Sequence, residues 1–60
     1  MTERTIFESQ YGKLVEITNE FTNYLIVWNE KTFKDEVHTS YISALQEWAW
    51  RNNFIHKMEA

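Results

Sequence analysis

Sixty residues allow a single domain, and a chain this short buries only about 60% of the surface that its unfolded form exposes. Six Lys and Arg against nine Asp and Glu leave a net charge of −3, which argues against the concentrated basic surface that sequence-independent nucleic-acid binding needs. With no cysteine there are no disulfides to brace the fold; aromatic side chains, 17% of the chain, must supply the core instead.

Met1 to Arg4 is polar and is expected to fray. Thr5 to Gln10 and Lys13 to Asn19 read as two strands. Gly12, the only glycine, lies between them, where a hairpin favours a residue tolerant of positive φ. In the second run Val15 and Ile17 share one face, and Leu14, Glu16 and Thr18 the other. Asn19 to Asn23 is turn-prone around Phe21. Tyr24 to Trp28 is the most apolar stretch, with Tyr24, Ile26 and Trp28 on one side and Leu25 and Val27 on the other. Apolar groups on both faces mark a central strand. Asn29 to Thr32 reads as a second turn, and Phe33 to Thr39 as a polar edge strand.

Ser40 to Asn53 is the one segment with helical periodicity. Thr39 or Ser40 is placed to cap it, and Asn52-Asn53 to end it, with Phe54 to Ala60 continuing raggedly or trailing. At about 100° per residue, Tyr41, Ile42, Leu45, Trp48, Ala49 and Asn52 share one face, and Ser43, Glu47, Trp50 and Phe54 the opposite one. The expected fold is a small α+β domain spanning 1–60: an antiparallel β-meander of three to four strands, with one C-terminal helix packed on one face. Leu14, Leu25 and Val27 are expected on the sheet face that the helix leaves open.

The chemistry-bearing residues are few. Glu36 and His38 could both face a metal, but two ligands without thiols fall short of a zinc site, and an exposed strand face explains them. Thr39, Ser40 and Ser43 lie near His38, yet capping accounts for them. Asp35 and Glu36 are adjacent and so point to opposite sides of a strand. One glycine cannot form a phosphate loop. No catalytic residue, cofactor site or metal site is assigned, and the chain is read as a non-enzyme. Tyr24, Trp28 and Phe33 could stack nucleobases, but the core claims these rings more readily, so no direct nucleic-acid binding is expected.

Trp50 stands apart, about 200° round the helix from Trp48 and one turn from Phe54. Exposed clusters of large aromatics mark binding surfaces. The expected partner-binding residues are Trp50, Phe54 and Glu47. Glu30, Asp35 and Glu36 join them if spaced carboxylates imitate a nucleic-acid backbone.

In general character (short, acidic, aromatic-rich, free of cysteine) the chain resembles small accessory proteins of phages and mobile elements. That likeness of type implies an inhibitor or adaptor that blocks a host protein, such as a nuclease or other defence factor, in the host cytoplasm. The alternative is a structural homodimer or assembly component with no inhibitory role, its seam the uncovered sheet face. Beside a protein partner, self-association is itself expected, most simply a two-fold dimer that buries this face or the Trp50 surface. No apolar run is long enough to span a bilayer, and M-T-E-R-T-I-F lacks a signal-peptide layout, so a cytoplasmic protein is expected.

Overall fold

The computed structural model describes residues 1–29 and 33–59. Four strands, β1 (Thr2–Glu8), β2 (Gly12–Thr18), β3 (Thr22–Trp28) and β4 (Glu36–His38), form one antiparallel sheet in chain order. The helix α1 (Tyr41–Glu59) follows and lies over β2, β3 and β4. The expected α+β meander with a C-terminal helix is the architecture found.

The register decides which side chains meet the helix. Leu14 pairs with Ile26, and Ile26 with Glu36; Glu16 pairs with Tyr24, and Tyr24 with His38. Directly paired residues share a sheet face. Leu14 therefore sits beneath the helix, fully buried with Ile26, Trp28, Tyr11, Ala44 and Ile55. This corrects the expectation that put Leu14 on the open face with Leu25 and Val27. The open face instead carries the row Thr5, Val15, Leu25 and Val37, beside Ile17 and Val27. Val15 is only 2% exposed although it lies outside the core under the helix, while Val37 at the edge is 66% exposed.

The turns also depart from expectation. Gly12 has no positive φ; it opens β2 and pairs with Trp28. Ser9 shapes the β1–β2 connection instead. Its Oγ accepts the N–H groups of Tyr11 (3.1 Å) and Gly12 (3.3 Å), while its own N–H donates to the Gly12 carbonyl at 2.9 Å. β1 begins at Thr2 rather than fraying through Arg4, and a bulge between Thr5 and Phe7 interrupts its pairing. The second expected turn, Asn29 to Thr32, falls largely outside the described residues. β4 is shorter than the expected Phe33 to Thr39, and Phe33 packs against the core beside Trp28, with ring centroids 5.9 Å apart.

Ser40 caps the helix: its Oγ accepts the Ser43 N–H at 3.3 Å and its carbonyl the Ala44 N–H at 3.0 Å. Asn52-Asn53 does not end it. Asn52 Nδ2 donates to the Trp48 carbonyl at 2.6 Å, and Asn52 Oδ1 hydrogen-bonds Ser9 Oγ. The helix runs on because the next turn buries Ile55 and brings His56 and Glu59 to the Tyr11 hydroxyl, at 3.3 and 3.0 Å. Its buried residues are Ala44 and Ile55, with Leu45 and Trp48 packed beside them. Ile42, expected inside, is 67% exposed.

Candidate functional site

The expected binding residues of the outer helix face come together. Trp50 and Phe54, one turn apart, stack with ring centroids 5.4 Å apart and planes 10° from parallel. They remain 58% and 41% exposed. Trp48, two positions from Trp50, turns inward and stacks on Phe7 of β1 at 5.5 Å. A shallow depression beside Trp50 is lined by Ser43, Gln46, Glu47 and Arg51. The surface thus has a stacked aromatic centre and a polar margin.

Glu47 is present in that margin but is not a free charge. Arg51 Nη2 lies 2.9 Å from Glu47 Oε1 and 3.5 Å from Glu36 Oε2, so one guanidinium serves two carboxylates. The same guanidinium lies 4.8 Å from the centroid of the Phe33 ring. Arg51, expected only to complement the helix dipole, therefore fastens β4 and Phe33 to the middle of α1. Sequence spacing signals its link to Glu47, four residues earlier, but not its link to Glu36.

His38 and Ser43 also meet, with Nδ1 to Oγ at 3.2 Å. Glu36 Oε1 stands 3.9 Å from His38 Nε2, beyond hydrogen-bond range, and Glu36 is already engaged by Arg51. A serine, a histidine and a carboxylate are close together, but the third group does not hold the ring as a nucleophilic relay requires. The contacts form a polar seam between β4 and the first turns of α1. Among the described residues, no three His, Asp or Glu side chains are grouped so as to hold a metal ion.

Of the carboxylates expected to imitate phosphates, Asp35 is exposed, Glu36 is paired with Arg51, and Glu30 lies outside the described residues. The rings considered for base stacking serve the core: Trp28 is buried, and Tyr24 and Phe33 pack against the same cluster. No described helix is long and apolar enough to cross a membrane. In comparisons with known proteins, no family model, curated protein or solved structure matches the chain.

Proposed function

We propose that this chain is a non-enzymatic protein-binding module, an inhibitor or adaptor that acts by covering a surface of its partner. The observation that carries the reading is the stacked Trp50–Phe54 pair, exposed on a helix whose other face is committed to the core. Trp is enriched among the few residues that dominate binding energy. Two rings already stacked lose little freedom on docking, which lowers the entropic cost of association. Glu47 and Arg51 hold each other beside the pair and form its polar margin.

Within this reading, nucleic-acid mimicry is the weaker variant, because Arg51 offsets the charge of Glu36. The alternative reading, a structural homodimer or assembly component without an inhibitory role, takes the sheet face that the helix leaves open as its seam, where Leu25, Val27 and Val37 lie. The absence of cysteine suits a reducing cytoplasm, that of the host if a phage encodes the protein. The test is affinity capture from a host lysate with the wild type and with Trp50→Ala. A specific protein held by the wild type and lost by the variant is expected; identical captured sets would refute the assignment of this surface.

A further inference from the structure

The last turn of α1 carries a carboxylate where a helix least favours one. His56 and Lys57 suit the negative end of the helix dipole, but Glu59 does not. Tyr11 offsets this: its hydroxyl donates to Glu59 Oε2 at 3.0 Å and lies 3.3 Å from His56 Nδ1. A spacing of three sets His56 and Glu59 side by side on one helix face. The backbone of Tyr11 is itself held on both sides. Ser9 Oγ accepts its N–H at 3.1 Å, and its carbonyl accepts the Asn29 N–H at 2.8 Å. The hydroxyl thus reaches the helix from a fixed main chain.

One proton decides the order of the three groups. A tyrosine hydroxyl has a single proton to give, and an ionised carboxylate can only accept. The Tyr11 proton goes to Glu59, so the contact with His56 is made by a proton on Nδ1. Charging the ring adds a proton at Nε2 and leaves the Nδ1–H in place. The charge on His56 therefore leaves the bonding unchanged, whereas the charges on Glu59 and Tyr11 control it.

We propose that this relay, His56 Nδ1–H to Tyr11 Oη and Tyr11 O–H to Glu59, is a pH-bounded latch on the helix end. It holds across neutral pH whatever the charge on His56, and it is released from two sides, by protonation of Glu59 in acid and by ionisation of Tyr11 in alkali. The latch fixes the stretch beyond Asn53, which carries Phe54 and the buried Ile55. It needs no partner and stands apart from the protein-binding reading.

The signs follow from the bonds. A hydrogen bond to a charged acceptor is about twice as strong as one between neutral groups. The contribution of Glu59 is therefore present at neutral pH and is lost as pH falls and the carboxylate is protonated. Neutralising Glu59 also relieves the dipole, but that effect is the smaller one, since solvent screens it. In alkali, a Tyr11 phenolate would face the Glu59 carboxylate, and the raised hydroxyl value agrees, with burial and then Glu59 as its causes. Other charges stand away from this corner. Lys13 alternates with Leu14 along β2 and pairs with Glu8, so both lie on the open sheet face. Ser9, Gln10 and Asn29 do not titrate, and on the helix Lys57 is the remaining charged neighbour.

The test is nuclear magnetic resonance on the full chain, reading the His56 ring and the helix end separately. Long-range proton–nitrogen spectra of the neutral ring should show the Nδ1–H tautomer in the wild type. Tyr11→Phe, which keeps the ring and removes the hydroxyl, should shift His56 toward the Nε2–H form. The Cα carbon shifts of residues 56 to 59 should stay helical through the titration of His56. They should move toward coil values as pH falls through the carboxylate range. Glu59→Gln, whose amide oxygen still accepts the Tyr11 proton, should keep the Nδ1–H tautomer and lose that acid step. An Nε2–H ring in the wild type overturns the proposal. So does an acid step that is absent from the wild type or persists in Glu59→Gln, and so do helix-end shifts that follow the titration of His56.

Discussion

Trp28 lies so close over its cross-strand partner Gly12 that a Cβ on the glycine would stand 2.7 Å from Trp28 Cε3 and 2.6 Å from the Val27 carbonyl oxygen. The glycine is there for space, not for an unusual backbone angle. One of the two obstacles is main chain and cannot rotate away. Gly12→Ala is therefore expected to destabilise the fold by roughly 1–3 kcal/mol, the usual cost of overpacking. Urea denaturation checks this through a lowered midpoint at unchanged slope; an unshifted midpoint would mean that the strands separate freely here.

Ser9 and Asn52 join the first hairpin to the middle of the helix, and each also holds its own element, Ser9 through the turn amides and Asn52 through the Trp48 carbonyl. Ser9→Ala and Asn52→Ala should each destabilise, and the double variant should cost less than the sum. A coupling of about 0.5–3 kcal/mol is expected for residues in one network. Strict additivity in a double-mutant cycle would show that the bond contributes nothing net.

The two neighbouring tryptophans should behave differently. Trp48→Ala removes the ring stacked on Phe7 and packed against the core, for a loss of roughly 3 kcal/mol. Trp50→Ala removes an exposed ring whose stacking partner is Phe54, for about 1 kcal/mol or less. Thermal melts of both variants decide the point. A Trp50→Ala loss equal to that of Trp48→Ala would place Trp50 in the fold's own core.

Alkaline pH should loosen the end of the helix. Burial first, and then the hydrogen bond and charge of Glu59, raise the Tyr11 hydroxyl above its usual value of 10.0. The folded state thus keeps this proton at a pH where the unfolded chain releases it. The stability contributed by Tyr11 is full below pH 10.0 and declines as pH rises through the higher folded value. Melts of the wild type from neutral to strongly alkaline pH should fall more steeply than those of Tyr11→Phe. Parallel profiles would show that the ionised phenolate is tolerated.

Much of this architecture was legible in local pattern. Alternation marked the strands, Ser40 announced the helix start, and the arc between Trp48 and Trp50 placed one ring inside and the other outside. Such signals reside within a turn or two of chain, so periodicity and capping chemistry carry them. What the pattern could not decide was how one element is set against another. A period of two shows that Leu14 and Glu16 share a face, but only the pairing of Leu14 with Ile26 and their packing with Ala44 and Ile55 show that this face is the one under the helix. The same holds for Gly12 beneath Trp28, for Arg51 between Glu36 and Glu47, and for the helix continuing past Asn53 to Tyr11. Each depends on a contact between segments far apart in the chain. Such contacts are set by strand register and helix placement, which follow from burying the whole core at once.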